Sequence, residues 1–246
     1  AVPDPLHHHA DMTIGILTTL WKRHALARIV LEHYAHLDLP GVRFVLLAVG
    51  SEGDVSRSLA EESGWEYLEH PNDPLSDKWN AGIATLRGRV DAVLIVGSDD
   101  IMTSRAIEVV LDQVRSGSDA VGLKDLHYYD TQTGDAYYGV RHMPGAGMMV
   151  TADALDRVGW QPWKPGLNRY LDRSFTNRLQ TKAYPCRFKY IDNCRDKSAD
   201  MVDIKTSQNM WQVVQIAAKT GRVHSVSAAS FDHTFPDLRD KLKQID

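Results

Sequence analysis

From residue 13 onward two hydrophobic periods alternate along the chain, and this alternation restricts the fold more than any other feature. Thr13–Leu17 is a short apolar run, and the stretch after it places Leu26, Ile29, Val30 and Leu37 at helical spacing. Phe44–Val49 is apolar on both faces, as a strand between two helix layers must be. Trp65–His70 forms a third run, and Asp73 and Ser76 offer caps for a helix reaching Leu86. Ala92–Val96 is the most hydrophobic strand. A helix follows with Ile107, Val110, Leu111 and Val114 on one face, then Gly117 as a stop, then the strand Ala120–Leu123. Strands and helices joined by short connections predict a mainly parallel sheet covered on both sides, with ligands gathering beyond the carboxyl ends of the strands.

The second half is less regular. Tyr128, Tyr129, Tyr137 and Tyr138 flank a turn at Thr133-Gly134-Asp135 and suggest a hairpin. Ala146–Val150 leads into a short helix capped by Thr151 and ended by Gly159. Further helices are expected over Asn168–Lys182 and over about Ser207–Lys219, and the chain from Arg239 is charged. Residues 1–12, with His7, His8 and His9 in a row, are expected to be a tail of processed or tag-like character.

Composition removes several classes of function. A net charge of −4 over 246 residues makes the whole chain no general polyanion binder, so any basic surface is local. Such a stretch exists: between Arg157 and Lys197 ten basic residues stand against three acidic ones, with Trp160, Trp163, Tyr170, Phe175, Tyr184, Phe188 and Tyr190 interleaved. That mixture describes a packed helix with a solvated cationic face, and it also suits an anionic acceptor such as nucleic acid, modified DNA included. No apolar run approaches the roughly 20 residues of a membrane span. Two cysteines without zinc-site spacing predict a reducing, cytoplasmic setting.

The sharpest chemical feature is Gly97-Ser98-Asp99-Asp100, directly after the strongest strand. Adjacent carboxylates at a strand's carboxyl end repel unless a cation or strong donors sit there. A hard dication, Mg²⁺ or Mn²⁺, shared with substrate phosphates would relieve that repulsion; capping of the next helix by either Asp is the alternative.

The order of these features resembles a family 2 glycosyltransferase of the GT-A fold. The resemblance rests on Thr18-Thr19-Leu20-Trp21-Lys22-Arg23 after the first strand, Gly50-Ser51-Glu52-Gly53-Asp54 after the second, Lys78-Trp79-Asn80-Ala81-Gly82-Ile83, and the acidic pair after the fourth. It covers roughly residues 13 to 180. It implies an α/β, Rossmann-like, mainly parallel sheet flanked by helices, in one domain over 13–238: a nucleotide-sugar-binding half over 13–125 and a less regular acceptor-side half over 126–238, with 239–246 as a charged tail. It implies that Thr18, Thr19, Trp21, Arg23 and Glu52 or Asp54 hold a nucleoside, that Lys78 and Asn80 lie against the donor, and that Ser98 and Gly147 border it. The donor implied is a UDP-sugar.

The same resemblance maps the second Asp of the family's Asp-x-Asp metal motif onto Asp99, with Asp100 beside it, while Gly97 stands where the first would be. His233 is the candidate further metal ligand, with Asp232 to orient its ring and His224 as a competitor. Asp172, in Asn168-Arg-Tyr-Leu-Asp172, holds the place of the general base, although Leu171 stands where the family has Glu; an exposed or Arg173-paired Asp is the alternative. A nucleotidyltransferase would carry a Gly-rich loop after its first strand, and Thr18–Arg23 contains no Gly. A non-catalytic nucleotide or nucleic-acid binding module on the same fold remains the other reading.

Overall fold

The computed structural model of the chain describes residues 11–140, 145, 147–209, 213, 215–216 and 223–245. The expected His tract at 7–9 and most of the expected helix over 207–219 lie outside the described residues. The first half alternates as its periods demand: β1 (Met12–Thr19), α1 (His24–Ala35), β2 (Val42–Gly50), α2 (Asp54–Glu62), β3 (Glu66–Glu69), α3 (Leu75–Thr85) and β4 (Ala92–Ile95). A short β5 (Asp100–Met102), α4 (Ser104–Arg115), β6 (Ala120–Leu123), and the hairpin β7 (Asp125–Asp130) and β8 (Ala136–Val140) follow. The rest contains β9 (Met148–Thr151), α5 (Ala152–Arg157), α6 (Leu171–Lys182), β10 (Phe188–Ile191), β11 (Met201–Lys205), β12 (Val223–Val226), α7 (Ala228–Thr234) and α8 (Leu238–Leu242).

Two sheets result. The larger has the order β10-β6-β9-β4-β1-β2-β3, and the smaller β12-β8-β7-β11-β5. In the larger sheet β1 runs parallel to β2 and β4, and β2 parallel to β3, while β9 is inserted antiparallel between β4 and β6. Alternate residues of β4 serve opposite faces. Ala92 and Leu94 join a core containing α1, α4 and the smaller sheet; Val93 and Ile95 join a second core under α3, α5 and α6. The helix α3 presses closely on β1 and β2 because Gly82 lacks a side chain: a Cβ there would fall 2.6 Å from Val49 Cγ2 and 2.7 Å from Leu17 Cδ1.

Several local expectations change on folding. Trp65 precedes β3 and is buried, its indole N–H donating to the Leu31 carbonyl at 3.0 Å. Asp73 and Ser76 do not cap α3, which starts after Pro74; their oxygens instead tie down residues 167 and 168 (Asn168 Nδ2 to Asp73 Oδ1, 2.7 Å; Leu167 N to Ser76 Oγ, 2.8 Å). That stapled loop delays α6 to Leu171. The charged tail from residue 239 forms α8, which buries Leu242 in the core.

Candidate functional site

The strand β4 ends at Ile95 and β5 begins at Asp100, so residues 97–99 lie where the chain leaves the larger sheet for the smaller. There the Asp100 carboxylate folds back and accepts the Gly97 N–H at 3.0 Å, while the Asp99 carbonyl accepts from Ile204 N at 2.8 Å. A Cβ on residue 97 would sit 2.4 Å from Asp100 Oδ2 and 2.8 Å from Asp99 Oδ1. A side chain at residue 97 would therefore require the two carboxylates to move. Neither Asp caps the next helix; Thr103 does, accepting from Ala106 N at 3.1 Å.

Arg23 reaches this corner from the loop after β1. Its guanidinium donates to Asp99 Oδ2 at 2.8 Å and to Ser98 Oγ at 3.0 Å. Lys22 and Arg23 both adopt left-handed backbone, φ 55° and 48°, a conformation that costs such residues about 1–3 kcal/mol each unless neighbours impose it. Glu52 imposes it: one carboxylate oxygen accepts from Lys22 N at 2.8 Å and meets His24 Nε2 at 2.9 Å. Burial works to raise the Glu52 carboxyl, but those two partners outweigh it and hold it below the usual carboxylate range.

Three further residues complete the corner, and the sequence reading passed over all of them. Asn209 donates to Asp99 Oδ2 at 2.6 Å while its own carbonyl oxygen accepts from Thr206 N at 2.8 Å. Asp203 lies opposite Asp100 in the β5–β11 pairing, and Lys205 donates to Asp203 Oδ2 at 2.6 Å. Burial would raise the Asp99 carboxyl, yet Arg23 first, then Lys205 and Asn209, hold it low. Asp99, Asp100 and Asp203 thus gather at one corner with the cations Arg23 and Lys205.

On the neighbouring loops Lys78, fully buried, spans three segments. Its ammonium donates to the Leu20 carbonyl at 2.6 Å, Ser51 Oγ at 2.5 Å and Asn72 Oδ1 at 3.1 Å. Burial pushes its pKa down to about 8, with Glu52 and Glu69 opposing. Trp21 is 46% exposed beside this loop, its ring under the Lys22 ammonium at 4.2 Å. Thr18 is buried at the end of β1 and Thr19 half-buried. Asn80 spends its amide on another segment: Nδ2 donates to the Trp163 carbonyl at 3.0 Å and Oδ1 accepts the Trp163 N–H at 3.1 Å.

On the acceptor side, Asp172 lies in the first turn of α6 against residue 145, where a Cβ would fall 2.1 Å from its Oδ1. Gly147, at φ 71°, is buried and donates its N–H to the Ile95 carbonyl at 2.7 Å, at the end of β4. The set Asp99, Asp100 and His233 does not come together: among the described residues no three His, Cys, Asp or Glu side chains form a group able to hold an ion. The reason lies in α7, which turns Phe231 and Phe235 onto His127 of the smaller sheet and leaves His233 exposed. Asp232 pairs with Arg239 at 2.5 Å rather than orienting His233, and His224 is exposed on β12.

A mainly parallel sheet with an inserted antiparallel strand, and an acidic corner beyond the carboxyl end of β4, define the GT-A class of fold. No family model and no curated protein sequence matches the chain. Solved structures do. The structure of residues 1–349 of S. aureus TarS in complex with UDP-GlcNAc is similar over 94% of this chain and 72% of that one, with a TM-score of 0.61 and 13% identity. A second structure of the same TarS fragment is similar over 74% of this chain at a TM-score of 0.57 and 13% identity, and the chain spans 58% of its length. Among the described residues no helix is long and apolar enough to cross a membrane.

Proposed function

We propose that this protein is a glycosyltransferase that moves a sugar from a UDP-linked donor to an acceptor hydroxyl. The observation that carries the reading is the convergence of Arg23, from the loop after β1, onto Asp99 beyond β4, in a fold whose structural neighbour was solved with UDP-GlcNAc. Glu52 and Trp21 flank the nucleoside, and Lys78 fixes the loops that carry them.

A Mg²⁺ or Mn²⁺ ion fits the acidic corner. Asp99 and Asp100 are adjacent there, and Asp99 already holds one cation, the Arg23 guanidinium at 2.8 Å. Asp99, with Asp100 beside it, would hold the ion; when bound, it neutralises charge on the departing diphosphate. Arg23 and Lys205 bring positive charge to the same corner, where negative charge builds on the departing diphosphate. Asp172 takes the acceptor hydroxyl's proton, and a single displacement assisted by one base inverts the anomeric centre.

The test pairs binding with turnover. Calorimetry should detect UDP binding that strengthens with Mn²⁺, and incubation with a panel of UDP-sugars should release UDP slowly. Asp172→Asn should keep UDP affinity while lowering transfer by about a hundredfold or more. Absence of UDP affinity, with or without the ion, would overturn the reading.

A further inference from the structure

We propose that the rim around the start of α6 docks a single-stranded nucleic acid as acceptor, with Lys164, Arg169 and Arg173 on its phosphates and Tyr170 stacked on a base. This deepens the transferase reading, on which it rests for the role of Asp172 alone.

The structure divides the basic stretch into spent and unspent charges. Arg157 and Arg187 both pair with Asp119, Arg178 donates to the Gln161 carbonyl, and Lys189 bonds Gln113. Arg195 bonds Ser230, and Lys197 bonds the Asp192 carbonyl. The side chains of Lys164, Arg169, Arg173 and Lys182 make no ion pair or hydrogen bond among the described residues, and all four residues are exposed.

Three of those four gather at one place. The Lys164 N–H is bonded to Ser174 Oγ at 2.8 Å, which ties residue 164 to the first turn of α6, where Ser174 follows Arg173 and Arg169 lies just ahead of the helix. Tyr170 stands among them, 82% exposed, with left-handed backbone at φ 60°. A bulky side chain in that conformation is costly, and here the cost presents an aromatic ring to water. The segment before it is rigidly held: Gly166 N bonds Asp77 Oδ1 at 3.0 Å, Ser76 N bonds the Leu167 carbonyl at 2.9 Å, and Leu75 N bonds Asn168 Oδ1 at 2.7 Å. The segment bearing the ring is thereby anchored to α3, the helix of Lys78, and Tyr170 stands two residues from Asp172.

The chemistry selects the occupant. Three unneutralised cations favour repeated phosphates over a neutral glycan, since phosphate contacts position a strand without reading its sequence. A lone exposed ring among them adds what a plain polyphosphate cannot use, a surface for a planar base. A strand held this way passes Asp172, where a hydroxyl carried by a modified base or by a ribose would lose its proton to the carboxylate and take up the sugar.

The experiment uses the full chain and a short fluorescent single-stranded DNA of mixed sequence, followed by anisotropy at several salt concentrations. Three phosphate contacts predict a log–log salt slope of about −2, and Ala at Lys164, Arg169 or Arg173 should each reduce it by about 0.7. Tyr170→Ala should weaken binding roughly tenfold with the slope unchanged, and Tyr170→Phe should restore it. UDP affinity should be the same in all these variants. No binding, a slope indifferent to the three basic substitutions, or inorganic polyphosphate binding equally well with Tyr170→Ala without effect on DNA would each overturn the proposal. Loss of UDP binding in the unsubstituted chain, with DNA bound as described, would sink the transferase reading and leave this surface standing.

Discussion

At position 97 the chain carries a hydrogen atom where the resembling family carries a carboxylate, and the neighbouring distances turn that difference into a prediction. Gly97→Asp restores the family's pattern yet forces a third carboxylate against Asp99 and Asp100. Overpacking and like-charge repulsion should cost about 1–3 kcal/mol and lower, not raise, the affinity for UDP with Mn²⁺. Thermal melts and calorimetry on the variant check both. Arg23 yields a second prediction with a definite sign. The Asp99 carboxyl is held below its ordinary pKa, so its contribution to stability is full above that ordinary value and disappears as pH falls through the depressed one. Arg23→Gln removes the main partner opposing burial. It should cost about 1–3 kcal/mol at neutral pH, and the loss of stability on acidification below about pH 4 should be shallower than in the parent chain. A parallel pair of melting-temperature profiles against pH would refute this by remaining parallel. Asp99 and Arg23 were both visible in the sequence as donor or metal residues. Their bond to each other was not, because 76 residues separate them and each has a plausible separate role.

Elements whose residues obey one period were readable; elements whose side chains answer to a distant partner were not. β4 and α4 follow their hydrophobic patterns closely. β11, Met201–Lys205, is buried at all five positions, but Asp203 and Lys205 interrupt its apolar run, and their mutual bond offsets the cost of placing them inside. The smaller sheet was therefore seen only through its β7–β8 hairpin. The same logic applies to α3, whose Lys78 and Asn80 looked like a donor motif. Asn80 in fact fastens α3 to the backbone of Trp163, a residue packed on Trp79 and Phe175. Asn80→Ala should leave a buried N–H and a buried carbonyl unpaired, at about 1–3 kcal/mol each. A urea titration should show a lower midpoint with an unchanged slope, and a stability equal to the parent's would remove Asn80 from this role.

Across the whole molecule, the carboxyl ends of β1 and β2 and the approach to α3 are tied through one ammonium, that of Lys78, which bonds Leu20, Ser51 and Asn72 together. Burial depresses its pKa to about 8, so folding and donor binding should respond oppositely to alkali. Between about pH 8 and its ordinary value the unfolded chain holds a proton that the folded chain has released. Stability contributed by this group therefore rises with pH in that window. On the proposed function the donor responds in reverse: as the ammonium becomes an amine, the loops carrying Glu52 and Trp21 lose the positive charge that ties them together. UDP affinity should thus fall above about pH 8 along a one-proton curve, while melting temperature shows no matching decline from this group. Lys78→Met should bind UDP more weakly at pH 7 and show no step near pH 8. A step that survives in that variant would assign the titration to another group and leave Lys78 as a purely mechanical tie.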